Sequence, residues 1–235
     1  MRDLSVKLLL AAALICGAAA PAWADLDDGA TAFEAGDYAT ALKEWRPLAE
    51  QGDANAQFFL GIMYRTGEGV PQDGAEAVKW LSKAAEQGLA EAQFQLGSMY
   101  ANGEGVPEND AETVRWWQKA AEQGEAEAQF NLGIMYHNGK GVAQDYAEAV
   151  KWWHLAAVQG VAEAQFNLGY MYEIGEGVIK DYVKAYMWLS VVGAQGLSSA
   201  RDSASQLEEK MTPEQIERGL ELARECFADY GDCRP

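Results

Sequence analysis

AQFNLGIMYHNGKGV (residues 128–142) is one of four near-copies of a single phrase in this sequence. AQFFLGIMYRTGEGV begins at Ala56, AQFQLGSMYANGEGV at Ala92 and AQFNLGYMYEIGEGV at Ala164, each 36 residues after the last. A fixed period of that length marks a repeat architecture, in which one supersecondary unit stacks on the next. With Gly88, Gly124, Gly160 and Gly196 as ends, the units are 53–88, 89–124, 125–160 and 161–196, without insertions.

Each unit reads as helix, glycine loop, helix. In the second, the first helix is predicted from about Glu91 to Asn102, where Gly103-Glu104-Gly105 ends it. Asn109 or Asp110 offers an N-cap oxygen, and the second helix continues through Trp116 and Ala120 to Gly124. Asp73, Asp145 and Asp181 cap the equivalent helices. Upstream, GDYATALKEWRPLAEQG (residues 36–52) matches only the second half of a unit. Residues 25–52 therefore read as a degenerate N-terminal capping repeat with a shortened first helix over 26–35. After Gly196 the period fails. Ser198 or Ser199 is expected to cap a helix to about Lys210, and Thr212-Pro213-Glu214-Gln215 carries a capping-box pair with proline in the first turn. Residues 197–235 are a C-terminal helical cap, which closes the core face a last repeat would expose. The expected fold is all-α, with about twelve helices.

What stays constant between copies marks the core. Phe58, Leu60, Gly61 and Tyr64 recur at 94/96/97/100, 130/132/133/136 and 166/168/169/172, and Trp80 recurs as Trp116, Trp152 and Trp188. Glycine inside a helix costs about 1 kcal/mol relative to alanine, so four copies imply a helix crossing too tight for a Cβ. The aromatic set, at helical spacing in every unit, reads as core packing.

The pattern A-x-x-x-L-G-x-x-Y, then G-x-G-V, then A-x-x-W-x-x-x-A-A-x-x-G, resembles the Sel-one-like repeat, a relative of the tetratricopeptide repeat. The resemblance covers residues 53–196 in four full copies. Residues 29–52 resemble a partial copy, and KMTPEQIERGLELARE (residues 210–225) is similar to the C-terminal cap of many bacterial members. It departs at Asn109, where the loop usually has Asp, and at Val192-Gly193, where the pair is usually Ala-Ala. The resemblance implies a right-handed α-solenoid acting as scaffold or adaptor. One envelope branch of the family carries a disulfide in each repeat and is linked to β-lactam binding or slow hydrolysis. This sequence has no cysteine between Asp25 and Glu225, so that activity is not expected here.

The first residues read as a targeting segment. Arg2 and Lys7 precede an apolar run over residues 8–20, and Ala22-Trp23-Ala24 is a small-x-small cleavage pattern. Residues 1–24 are the expected signal peptide, with the cut after Ala24 and a periplasmic or secreted product. Thirteen apolar residues are few for a bilayer span. Cys16 raises a lipoprotein alternative, which Ile15 before it disfavours. The whole chain carries a formal charge of −18, and removing Arg2, Lys7 and Asp3 leaves 16 basic against 35 acidic residues, or −19. Such a surface repels nucleic acid and anionic headgroups. Cys226 and Cys233 are the two cysteines left, and export makes a disulfide between them the leading reading over a redox pair, since the spacing is not C-x-x-C.

No catalytic constellation stands out, and the expectation is a non-enzyme without cofactor or metal. Gly67-Glu68-Gly69 lacks the later glycine and preceding strand of a phosphate loop, and Glu68 would repel phosphate. His137 and His154 occupy variable, expectedly exposed positions without partners for a metal cluster. The informative positions are those that vary on the first helix, residues 55, 59, 62 and 66 with their neighbour 65, which share one stripe. In tetratricopeptide relatives part of this helix lines a concave groove, and the resemblance implies the same here. The candidate partner-binding set is Glu91, Gln95, Ser98 and Asn102, then Glu127, Asn131, His137 and Asn138, then Glu163, Asn167 and Tyr170. Asn and Gln amides can bond an extended peptide backbone, Tyr170 can stack, and the row Glu91, Glu127, Glu163 favours a basic extended segment. The partner would be another envelope or secreted protein. The rivals are a cell-wall glycan-binding accessory, for which Trp117 and Trp153 would suit stacking if exposed, and a weak β-lactam-type hydrolase.

Overall fold

Aspartate caps the start of six of the described helices, and a left-handed glycine ends four of them. The computed structural model describes residues 25–228 and, within them, twelve helices and no strand. They are α1 (Leu26–Glu34), α2 (Tyr38–Glu50), α3 (Ala54–Thr66), α4 (Gly74–Glu86), α5 (Ala90–Asn102), α6 (Asp110–Glu122), α7 (Ala126–Asn138), α8 (Tyr146–Ala157), α9 (Ala162–Ile174), α10 (Tyr182–Ala194), α11 (Ser198–Glu208) and α12 (Pro213–Ala228). The carboxylates of Asp73, Asp145 and Asp181 each accept two first-turn amide hydrogens. In α6 the cap is Asn109, whose Oδ1 accepts from Ala111 and Glu112. Thr212 and Gln215 bond each other's backbone amides at the start of α12, a reciprocal capping box. Ser198 does not cap α11; Leu197 takes that position and makes no side-chain bond there.

The loop glycines do two different jobs. Gly67, Gly103, Gly139 and Gly175 end α3, α5, α7 and α9 in the left-handed region, where a side chain is strained. The second loop glycine is there for a close approach. A Cβ on Gly105 would lie 2.1 Å from the carbonyl carbon of Gly74, and one on Gly177 would lie 2.3 Å from the Tyr146 oxygen. The loop of one repeat thus sits on the first residue of the second helix one repeat earlier. The G-x-G motif is a stacking contact between backbones.

The chain packs as two compact units, one ending at Ala120 and the other beginning at Ala121. In the first, Trp45, Leu60, Met63, Leu81, Leu96 and Met99 are fully buried. In the second, Leu168, Met171, Trp188, Leu189 and Leu207 are the equivalents. Burying each such side chain contributes about 1.5–3 kcal/mol.

The mid-helix glycines explain how paired helices meet. A Cβ on Gly97 would lie 2.6 Å from Trp117, and one on Gly133 would lie 2.5 Å from Trp153. In the outer repeats the partner is leucine: a Cβ on Gly61 would lie 2.6 Å from Leu81 Cγ, and one on Gly169 would lie 2.8 Å from Leu189 Cγ. Glycine therefore lets the second helix of each hairpin lie directly on the first.

Between hairpins, a polar relay joins the apolar contacts. Gln57, Gln93, Gln129 and Gln165 are buried and donate to the carbonyls of Ala49, Ala85, Ala121 and Ala157 in the preceding helix, at 2.9–3.1 Å. Their own oxygens accept from the next helix end: Gln87 bonds Gln57, Gln159 bonds Gln129 and Gln195 bonds Gln165. Each relay gives a second donor to a helix-end carbonyl that already accepts the backbone N–H of the glycine three residues on.

At the carboxyl-terminal end, Gly193 takes the place of an alanine because Arg201 Cγ would meet its Cβ at 3.0 Å, while Arg201 Nε donates to the Gly193 oxygen at 2.7 Å. α12 buries Ala223 and half-buries Ile216 and Leu220 against this core. Residues 1–24, expected to be a signal peptide, the Phe227 side chain and Cys233 lie outside the described residues; Cys226 is buried.

Candidate interaction surface

The variable stripe runs along the first helix of each hairpin, on α3, α5, α7 and α9. In the first unit it is mostly used up internally. Phe59 is buried and stacks on Trp45 at 4.5 Å, and Ile62 is buried beside it. Arg65 Nε donates to Glu104 at 2.8 Å, and its Nη1 donates to Gln95. Asn102 donates to the other Glu104 oxygen at 2.9 Å, and Ser98 bonds back to the Phe94 carbonyl. Burial raises the Glu104 pKa, but the bonds from Arg65 and Asn102 outweigh it and hold the carboxyl below its usual range. Of the candidate residues here, Gln95, Ser98 and Asn102 are engaged within the chain, and Glu91 is half-buried.

The second unit presents the same stripe differently. Glu127 and Glu163 are exposed. Asn131 and Asn167, at one position of successive repeats, are half-buried, and among the described residues their amides bond no protein group. Tyr170 is 51% exposed. A solvent-accessible amide free of protein partners can exchange water for a peptide group.

Both histidines are more enclosed than expected. His137 sits between Tyr146 at 5.2 Å and Trp153 at 5.4 Å, with Nδ1 3.1 Å from the Asn138 oxygen. His154 meets Trp188 edge-on at 6.0 Å and is half-buried. Packing against α8 for His137 and against α10 for His154, rather than exposure, explains each. Trp117 and Trp153 are 8% and 3% exposed, because each ring lies over a glycine, and their Nε1 groups donate to Phe94 and Phe130 carbonyls at 3.2 Å. They offer no open face to a sugar. Glu173, also on the stripe, is paired with Lys210 at 2.7 Å. Among the described residues no group of three His, Cys, Asp or Glu side chains could hold a metal ion, and no helix is long and apolar enough to cross a membrane. The Arg65–Glu104 bridge and the glutamine relay escaped the sequence reading. Recurrence of Gln in all four copies of A-Q-F was the available signal for the second.

Helix hairpins repeating every 36 residues, with an open stripe on the first helix, define an all-α repeat protein of the solenoid class. The chain belongs to the Sel1 repeat family: the family profile matches residues 54–89, 90–125, 126–161 and 162–191. Members are generally protein–protein interaction scaffolds. It is similar to the crystal structure of a Sel1 repeat protein from Oxalobacter formigenes, at 28% identity over 90% of this chain and 94% of that one, with a TM-score of 0.77. It is also similar to c5321, a protective antigen of uropathogenic Escherichia coli with the same fold. The identity is 32% over 86% of this chain but only 48% of the antigen, with a TM-score of 0.70. No curated protein matches the chain significantly.

Proposed function

We propose that this chain is a periplasmic scaffold that holds an extended, basic segment of another envelope or secreted protein along α7 and α9, without chemistry of its own. The observation that carries the reading is the pair of half-buried amides of Asn131 and Asn167, which bond no protein group among the described residues, beside the exposed Tyr170 ring. Repeat-spaced amides suit a strand-like backbone, which offers donors and acceptors at regular intervals. Glu127 and Glu163 flank them and favour cations. The export reading of residues 1–24 supplies the compartment.

A photo-crosslinking residue placed at Tyr170 tests this in living cells, with one at Ile179, 90% exposed in a loop, as the control. A discrete adduct from position 170 that is absent from 179 is the expected result. Asn131→Ala with Asn167→Ala should then weaken binding of the captured partner about tenfold or more, with Tm nearly unchanged. Undiminished binding by that double variant would remove the amides from the site.

A further inference from the structure

Glu44 occupies an unusual place. Every full repeat gives this position to tryptophan, at 80, 116, 152 and 188, and one period earlier it is a glutamate. The side chain goes inward all the same: Glu44 is 7% exposed. Its Oε2 accepts the backbone N–H of Asp25 at 3.3 Å, and its Oε1 lies 3.7 Å from Lys43 Nζ, on a side chain that is itself 71% exposed. A buried carboxylate is costly unless well bonded or paired. One amide hydrogen and one solvated lysine are a thin match for it.

Asp25 is where the export reading puts the mature amino terminus. Hydrolysis of the Ala24–Asp25 peptide bond consumes water, leaves a carboxylate on Ala24, and turns the Asp25 nitrogen from an amide into an ammonium. That nitrogen already faces Glu44. We propose that Glu44 is a receptor for the processed amino terminus, so that cleavage converts a neutral hydrogen bond into a buried ion pair that clamps α1 onto α2. The rest of the interface is already rigid. Trp45 Nε1 donates to the Leu26 carbonyl at 3.1 Å, and the Trp45 ring covers Gly29 closely enough to exclude a Cβ. Only one nitrogen changes on maturation, and it changes in a fixed place.

The surrounding charges favour the ammonium. A cation at the first turn of a helix opposes the helix dipole, but Asp25, Asp27 and Asp28 stand at this one, and Glu44 faces it from α2. Among the described residues the cation paired with this carboxylate is Lys43, whose side chain is largely solvent-exposed. An α-amino group ordinarily titrates at about 7.7–8.0, and an anionic partner raises that value in the folded state. A raised folded value means stabilisation fully present below the unfolded value and lost as pH climbs through the folded one.

The proposal rests on the export reading, and the test separates the two. Intact mass of the exported chain gives its first residue; any start other than Asp25 overturns the maturation step and points to the export reading as the fault. Independently, a site-specific protease can release in vitro a chain beginning at Asp25 and one with a single alanine ahead of it. At pH 7 the Asp25 chain should melt roughly 2–4 °C higher, with the gap closing as pH rises from 7 to 10. In the Glu44→Gln background, which keeps an acceptor but removes the charge, the gap should vanish. Equal melting of the two wild-type chains at pH 7, or a gap that persists in Glu44→Gln, overturns the clamp.

Discussion

A methyl group added at Gly133 would meet Trp153 Cδ1 and Nε1 at 2.5 Å. Alanine favours a helix interior by about 1 kcal/mol over glycine. Overpacking a tight core costs about 1–3 kcal/mol, and here the clashing atoms belong to a rigid ring whose Nε1 is fixed to the Phe130 carbonyl. The clash should win. Gly133→Ala is expected to lower the unfolding free energy by up to roughly 2 kcal/mol net, read as a lower urea midpoint with the slope unchanged. Gly61→Ala, facing Leu81 Cγ, should cost less because a leucine side chain can shift. A Gly133→Ala chain as stable as wild type would mean the ring moves freely and the crossing is looser than it looks. The need for glycine was legible from its four copies. Its partner was not: Trp116 and Trp117 are adjacent in sequence, so periodicity suggested one inward and one outward ring. Both are buried, because the second helix of a hairpin packs on its own partner through one side and lies inside the repeat on another.

At the scale of helices, the sequence predicted starts and stops well because caps are local chemistry, carried by one side chain and two or three amides. Contacts between neighbouring hairpins were harder to read. The Gln129–Gln159 bond joins residues 30 positions apart, and nothing at either site signals the other except recurrence. The carboxyl-terminal cap is a similar case. Tyr186 on α10 donates to Glu208 of α11 at 2.5 Å, and its ring lies 2.8 Å from a would-be Cβ on Gly219 of α12. Burial, then the bond and charge of Glu208, push the Tyr186 hydroxyl up to about 12. The folded value exceeds the unfolded value of about 10, so the contribution is intact below pH 10 and is lost as pH rises through 12. Wild-type Tm should therefore fall more steeply between pH 10 and 11.5 than that of Tyr186→Phe, which has no proton to lose. Parallel slopes in the two chains would show that this tyrosine does not govern the alkaline loss.

At the scale of the whole chain, charge is the strongest bias toward one kind of partner. The formal charge is −18, and most basic side chains of the second helices are already tied up: Lys79, Arg115 and Lys151 each pair with a glutamate three residues earlier, and Lys83 and Lys119 lie over tryptophan rings. Glu127 and Glu163, by contrast, project from α7 and α9 in the open. Exposed charges of this kind add little to affinity as isolated pairs, but a one-signed field speeds encounter with cations and is screened by salt. Binding of a basic partner should therefore weaken several-fold between 0.05 and 0.5 M NaCl, chiefly through a slower association rate. Glu127→Gln with Glu163→Gln should flatten that dependence while leaving the dissociation rate close to wild type. If salt leaves association unchanged, the acidic row is only a solvated face, and recognition rests on the asparagine amides and Tyr170 alone.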